Sequence, residues 1–367
     1  MTIKPLEKIL LVIDGLEFGG GERVFVQLAA GLRDRFDISV AATPGGQFED
    51  KIKELGVRFY PIQMNKRLSL RPIHQIRDLI LSQNIYLLHS QGARADFFSR
   101  IAGRSASLSH ILCTVAMPVE GFDVRPLRKR IYRAFDSFTE RYVERFIVVS
   151  DVLKRTLIEK RGIPVHRIAR IYNGIELEQY HPNSEDGKIW KEWEIPQNVH
   201  VIGAIGRMVW QKGFEFLIRA IPAIIRVAPE LKFIFVGDGP LRKRLKALSE
   251  EFRVRDNVIF TGYRNDIKEI LSAIDILVVP SLLEGFPMIT LEAMAMAKPI
   301  IATRIDGITE QIIDGENGIL VPPKDPVALA GAIIHCLVGS EKGQIDLFSF
   351  CNHFFNGKLL FNCFSRC

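Results

Sequence analysis

The sequence predicts an α/β protein made of two doubly wound parallel-sheet domains, and three observations predict it. Short β-branched runs alternate with longer amphipathic segments from end to end. Runs such as IDILVV, Ile274 to Val279, are apolar at almost every residue, as expected of strands buried on both faces and joined by right-handed helical crossovers. The 367 residues, 47% hydrophobic and 25% charged, make about twice the length of an ordinary domain, each half with its own core. The same fractions exclude a disordered chain, a collagen-like repeat and a small disulfide scaffold.

In the first half the predicted strands are Lys8 to Ile13, Asp37 to Ala42, Val57 to Ile62, Ile85 to His89, His110 to Val115, Phe146 to Ser150 and Arg167 to Asn173. Helical patterns such as Glu22 to Leu32 and Arg71 to Ser82 lie between most of them. The second half repeats the scheme with strands at Val199 to Ile205, Lys232 to Val236, Asn257 to Phe260, Ile274 to Val279, Pro299 to Ala302 and Gly318 to Val321. Helices are predicted at Phe214 to Val227, Leu241 to Phe252 and Leu291 to Ala297. The polar stretch Asn183 to Asn198 separates the halves. The expected organisation is a domain over 1–180, a linker over 181–198, a domain over 199–338 and a tail over 339–367 of different composition.

No apolar run reaches the ~18 to 20 residues of a membrane-spanning helix, and the longest, Val327 to Val338, is interrupted by His335. The apolar run Ile9 to Ile13 is too short for a signal peptide, so a cytoplasmic protein is expected. Cys113 and Cys336 sit alone in apolar sequence, which predicts reduced, buried thiols, and no Cys/His spacing suggests a metal. The formal charge of +7 is concentrated: residues 123 to 170 carry 13 Lys/Arg against 6 Asp/Glu. Arg125, Arg128, Lys129, Arg130 and Arg133 share a segment with Leu127, Ile131, Tyr132 and Phe135, the pattern of a basic amphipathic helix. It reads as a solvated face or as a docking surface, over residues 125–135, for anionic lipid or a phosphorylated acceptor. Nucleic acid is disfavoured because no recognition motif accompanies the charge.

Three places could carry chemistry. The first strand leads into Gly19, Gly20 and Gly21 and then a helix, where free N–H groups meet the incoming chain; a tight turn and a phosphate or sugar site both fit. The strand ending at Ile205 runs into GRMVWQKG, which puts Arg207 and Lys212 beyond its carboxyl end. Those cations suit a diphosphate, Arg by forked hydrogen bonds and Lys as a point charge, or they are solvated surface charges. The third is PSLLEGFPMITLEAMAMAKP, where a strand ends at Pro280, Glu284 lies in a Gly- and Pro-containing loop, and Glu292 falls in the first turn of a helix expected near Ile289. Two acids eight apart can grip separate parts of a nucleotide sugar; alternatively Glu292 only offsets the helix dipole.

With these motifs in place, residues 8 to about 338 resemble the retaining glycosyltransferases of family 4, which have the GT-B fold of two Rossmann-like domains facing a cleft. The family's Glu, seven residues, Glu signature is matched by Glu284 and Glu292. GGGER, FIVVS (Phe146 to Ser150), YNGIE (Tyr172 to Glu176), VGDGP (Val236 to Pro240) and ENGILVPP (Glu316 to Pro323) match in order. The resemblance implies a nucleoside-diphosphate sugar donor, with Glu292 on the ribose hydroxyls and Glu284 on the donor sugar. Arg207 and Lys212 would stabilise the leaving diphosphate, so that Glu284, Arg207 and Lys212 are the expected catalytic residues. The implied substrate-binding set is Gly19, Gly20, Arg207, Lys212, Tyr263, Glu284, Gly285, Phe286, Pro287 and Glu292. It also implies attack on the same face as departure, without a protein nucleophile or cofactor. No Asp-x-Asp occurs in the chain, so side-chain cations are expected in place of a metal.

The chain departs from the family in two places. Many relatives have a His where this sequence reads Ala116 after Thr114-Val115, and Ala cannot hydrogen-bond to a donor sugar. After Val338 the sequence becomes apolar, with Cys351, Cys363, Cys367 and six Phe near the end, an ending expected from truncation or a reading-frame change. The expected function is a metal-independent retaining hexosyltransferase building a cell-surface polysaccharide or lipopolysaccharide on a glycan or lipid-linked acceptor, peripheral on the cytoplasmic face of a membrane. The alternatives are a nucleotide-sugar-binding protein with little or no transferase activity and a sugar-nucleotide epimerase of the same fold.

Overall fold

A computed structural model describes residues 6–15, 18–64, 69–117, 136–182, 188–196 and 199–341. The basic stretch 125–135 and the tail beyond residue 341 lie outside the described residues. The chain divides into two compact units, Met1–Tyr172 and Asn173–Cys367. Among the described residues no helix is long and apolar enough to cross a membrane.

The first unit runs β1 (Lys8–Ile13), α1 (Gly20–Leu32), β2 (Asp37–Ala42), α2 (Gln47–Glu54), β3 (Arg58–Pro61), α3 (Arg71–Gln83), β4 (Leu87–Gln91), α4 (Ala93–Ser105), β5 (His110–Val115), β6 (Arg145–Val148), α5 (Asp151–Arg161) and β7 (Ile168–Arg170). The strands form one parallel sheet in the order β3-β2-β1-β4-β5-β6-β7. Order reverses at β1, which has β2 on one side and β4 on the other. At such a point the crossovers on either side leave to opposite faces and open a crevice beyond the strand ends. Alternate residues of β1 supply two cores. Leu10 and Val12 pack with Ile76, Leu88 and Ile111 on one face, while Leu11 and Ile13 pack with Phe25, Val40 and Phe48 on the other.

Cys113 is the free, buried thiol the sequence predicts. It is fully buried, but its surroundings are not apolar: Arg100 Nε donates to its Sγ at 3.3 Å, and Ser90 Oγ lies at the same distance. Arg100, 2% exposed, also reaches Asp136 Oδ1 at 2.5 Å, and Arg161 holds Asp136 Oδ2 at 2.5 Å and Glu140 Oε1 at 2.7 Å. A buried guanidinium needs this many acceptors because an unpaired charge there would be costly. Burial pushes the Cys113 thiol up to about 12 and Glu140 up to about 7, the latter despite Arg161. Burial also raises Asp136, but Arg100 and Arg161 outweigh it and hold that carboxyl below its ordinary range.

The second unit runs α6 (Lys188–Glu192), β8 (Val201–Ile205), α7 (Phe214–Ile224), β9 (Lys232–Val236), α8 (Arg242–Glu251), β10 (Val258–Gly262), α9 (Ile267–Ala273), β11 (Ile276–Val279), α10 (Met288–Ala295), β12 (Ile300–Thr303), β13 (Ile319–Val321) and α11 (Pro326–Glu341). Its parallel sheet has the order β10-β9-β8-β11-β12-β13, with the reversal at β8 between β9 and β11. One face packs Ile202, Phe233, Phe235 and Val278 against Leu217, Ile221 and Leu329, and the other packs Val201, Ile234 and Leu277 against Ile270 and Ala293. Part of the stretch expected as linker is built into this unit: α6 lies there, and Ile189 and Ile195 are buried in its core.

Candidate functional site

The reversal at β8 decides where the site residues go. Arg207 and Lys212 follow β8 and Glu284 follows β11, so neighbouring strands deliver all three to the carboxyl edge at the switch point. The two loops are tied together by their backbones, since Leu282 N–H donates to Gln211 O at 2.6 Å. Gly213 lets them approach: its φ is +59°, and a Cβ there would stand 2.1 Å from the Pro280 carbonyl oxygen.

Across this junction Lys212 Nζ donates to Glu284 Oε1 at 2.6 Å, and Ser281 Oγ donates to the same oxygen at 2.7 Å. The Glu284 side chain is 6% exposed and that of Lys212 is 20% exposed. In such a setting the ion pair is screened less than on an open surface, and the hydroxyl fixes which carboxylate oxygen faces the lysine. Arg207 is exposed, one residue past the glycine that closes β8.

From Glu284 the chain passes through buried Gly285, Phe286 and Pro287 into α10. Pro287 caps the helix, and its carbonyl accepts from Thr290 Oγ1 at 2.7 Å and Gln311 Nε2 at 3.0 Å. The Phe286 carbonyl accepts from Asn173 Nδ2 at 2.9 Å. The helix begins at Met288, so Glu292 is its fifth residue, beyond the first turn where the dipole acts most strongly. This corrects the expected placement and weakens the dipole-offsetting reading. Glu292 is 3% exposed, and Tyr180 Oη donates to its Oε1 at 3.1 Å.

Three members of the expected set stand elsewhere. Tyr263, 53% exposed, follows β10 at the sheet edge, two strands from β8. Gly19 and Gly20 open α1 in the first unit, where Gly19 N–H donates to Glu22 Oε2 at 3.0 Å. Ala116 is half-buried just past β5. His89 on the neighbouring strand does not replace the missing imidazole: it is buried, and its Nε2 is engaged with Thr114 Oγ1 at 2.7 Å. Ser281, Tyr180 and Gln311 escaped sequence reasoning, while Asn173 lies inside the YNGIE match and was accessible to it. Among the described residues no group of three or more His, Cys, Asp or Glu is placed to hold a metal ion.

Residues 18–179 match the family model for glycosyltransferase family 4, and residues 199–338 match that for glycosyl transferases group 1. The chain belongs to this glycosyltransferase family. It is 30% identical over 272 residues to an uncharacterized glycosyltransferase of Methanocaldococcus jannaschii, covering 72% of this chain and 69% of that one. It is 25% identical to the Escherichia coli UDP-Gal:alpha-D-GlcNAc-diphosphoundecaprenol alpha-1,3-galactosyltransferase, over 82% of this chain and 80% of the relative. The crystal structure of Anabaena HepE in complex with UDP and glucose superposes with a TM-score of 0.82 at 22% identity, covering 95% of this glycosyltransferase and 94% of HepE. Its two parallel sheets give this glycosyltransferase the GT-B architecture.

Proposed function

We propose that this glycosyltransferase moves a hexose-type sugar from a nucleoside-diphosphate sugar to a glycan or lipid-linked acceptor, with retention of anomeric configuration, in cell-surface polysaccharide synthesis. The observation that carries the reading is the Lys212–Glu284 pair at the β8/β11 switch point, which puts a cation and a carboxylate side by side where open α/β sheets bind ligands. The lysine suits the diphosphate and the carboxylate suits hydroxyls of the donor sugar. Glu292, already turned toward a hydroxyl donor by Tyr180, suits the ribose. The E. coli relative uses a UDP-sugar and a diphosphoundecaprenol-linked acceptor, and a Campylobacter jejuni relative, 24% identical, also acts on a diphospho-undecaprenol acceptor.

In the proposed step the acceptor oxygen bonds to the anomeric carbon as the bond from that carbon to the diphosphate breaks. The acceptor proton passes to an oxygen of the departing diphosphate, on the same face. Arg207 and Lys212 act most strongly as negative charge grows on that group, which makes them transition-state stabilisers in place of a bound cation. Work at the cytoplasmic face of a membrane, with residues 125–135 against anionic lipid, belongs to the same proposal.

The test is a thermal-shift screen across UDP-, GDP- and ADP-sugars, because a ligand at a hundred times its dissociation constant adds ~2.7 kcal/mol of stability. Product analysis by NMR with the stabilising donor then reads the anomeric outcome; inversion would overturn the retaining mechanism. Ala116 favours a second reading, a nucleotide-sugar binder with little transferase activity. That reading predicts stabilisation without turnover.

A further inference from the structure

The loop that carries Glu284, between β11 and α10, is held from one side by the segment that leaves β12. Thr303, the last residue of that strand and fully buried, donates through Oγ1 to the Ser281 carbonyl. Gly307, at a φ of +84°, brings the next turn so close that a Cβ there would stand 2.4 Å from the Gly285 carbonyl oxygen and 2.8 Å from that of Glu284. Gln311 completes the series. It is 5% exposed, its Nε2 donates to the Pro287 carbonyl at 3.0 Å, and its Oε1 accepts from Thr290 Oγ1. Thr290 is fully buried and also reaches the Pro287 carbonyl, at 2.7 Å. The backbone of Gln311 is fixed in turn, its N–H donating to Ile308 O at 2.9 Å and its carbonyl accepting from Asn317 Nδ2 at 2.9 Å.

An apolar side chain could fill this buried position without the cost of taking an amide out of water. A buried amide bonded at both ends does something an apolar group cannot, which is to fix one geometry. Pro287 is the residue at which the loop becomes helix, with Glu284 before it and Glu292 after it. We propose that Gln311 is a positioning residue for donor binding: by holding the Pro287 carbonyl it sets the junction of loop and helix, and with it the separation of Glu284 and Glu292. This rests on the transferase reading, in which Glu284 takes the donor sugar and Glu292 the ribose. Thr303 and Gly307 hold the Ser281 to Gly285 part of the loop, and Ser281 holds the Glu284 carboxylate, so Glu284 keeps its place when the Gln311 amide is removed. The helix start loses a tether and Glu292 shifts with it. A nucleotide alone engages Glu292 and can follow that shift, whereas a nucleotide sugar must meet both acids at once and cannot.

The test is titration calorimetry on the full chain with UDP against UDP-glucose and UDP-galactose, GDP against GDP-mannose, and ADP against ADP-glucose. The quantity read is the ratio of nucleotide-sugar affinity to nucleotide affinity, relative to the unaltered chain at the same pH and below the melting temperature of each variant. Gln311→Leu removes the amide at similar volume, and Thr290→Val removes only the hydroxyl. Gln311→Glu can donate to the Pro287 carbonyl only while its carboxyl is protonated, and burial raises the pKa of that carboxyl. The result expected is a ratio about tenfold lower in Gln311→Leu with nucleotide affinity within about twofold, and a smaller fall in Thr290→Val. In Gln311→Glu the ratio should recover as pH is lowered from about 8 to about 6. That variant is compared with itself, so the test stands even if Gln311→Leu does not fold. An unchanged ratio in Gln311→Leu, equal weakening of nucleotide and nucleotide sugar, or a ratio in Gln311→Glu that is indifferent to pH would overturn the proposal. An unaltered chain that binds none of the three nucleotides overturns the donor reading itself, which is thus distinguished from a failure at Gln311.

Discussion

Lys212 Nζ and Glu284 Oε1 stand 2.6 Å apart, a side-chain contact that joins the loop after β8 to the loop after β11 beside their backbone hydrogen bond. The two residues are 72 positions apart in sequence. They meet because the sheet reverses its order between their strands. Removing one partner leaves the other largely buried without a counter-charge, whereas removing both does not. Lys212→Met is therefore expected to lower stability by about 1–3 kcal/mol, discounted for the partial exposure of the lysine, and the double change Lys212→Met with Glu284→Gln to lower it less. Chemical denaturation of the three variants checks the order. Additive losses would show that the pair is not coupled.

The same lysine should act on turnover more than on binding. Its charge is most valuable when the diphosphate is leaving, so Lys212→Ala and Arg207→Ala are expected to reduce kcat by a larger factor than they raise KM for the donor. Steady-state kinetics against donor concentration read the split. A pure rise in KM would assign the two cations to ground-state binding.

Glu292→Ala should weaken nucleotide affinity tenfold or more, because a hydrogen bond to a charged group contributes ~1.5 to 3 kcal/mol. Tyr180→Phe removes only the hydroxyl that orients the carboxylate at 3.1 Å, and a smaller loss is expected. Calorimetry with UDP compares them. Equal losses would mean that Tyr180 rather than Glu292 makes the contact.

What sequence could and could not reveal follows from the range of the interactions involved. The parallel strands β1, β2, β5 and β9 were legible to the residue because each is a short, mostly apolar run, with β1, β2 and β9 buried along almost their whole length. β4 was read two residues early, as Ile85 to His89, since its final Ser-Gln reads as loop; in the fold His89, Ser90 and Gln91 are buried between β1 and β5. Glu284 and Glu292 stood out through their spacing and their Gly-Pro context. Tyr180 did not, because its bond to Glu292 spans 112 residues and no local pattern encodes it. The polar neighbours of the buried Cys113 thiol were not legible for the same reason: the strand around it is apolar, and the arginine that reaches its sulfur comes from α4.

His89 provides a pH-dependent test of the first unit. Burial lowers its pKa from 6.5 to about 4, so between those values the unfolded chain binds a proton that the folded chain does not. Stability from this residue is full above about 6.5 and is lost as pH falls toward 4, by about 3 kcal/mol over the window. Asp96, raised to about 6 by burial despite Arg100, works in the opposite sense, which makes the difference between variants more informative than the wild-type curve. In His89→Asn the fall in stability between pH 6.5 and 4 should be smaller than in the unaltered chain. Parallel curves from denaturant titrations would show that His89 is not the group responsible.

Gly213→Ala tests whether the junction of the two loops governs the site. The new Cβ would stand 2.1 Å from the Pro280 carbonyl oxygen, at a φ of +59° that an L side chain adopts only with strain, so the loop after β11 must move. Glu284 lies four residues beyond Pro280 and is held by Ser281 in the same loop, and its contact with Lys212 should be lost along with the alignment of both groups. The expected outcome is a fall in stability of about 1–3 kcal/mol together with a drop in turnover larger than that loss explains at a temperature where the variant remains folded. Melting curves and single-turnover rates on the same preparation separate the two effects. A variant that melts early yet turns over normally while folded would show that the loop re-forms the Lys212–Glu284 pair by another path, and that Gly213 matters to packing alone.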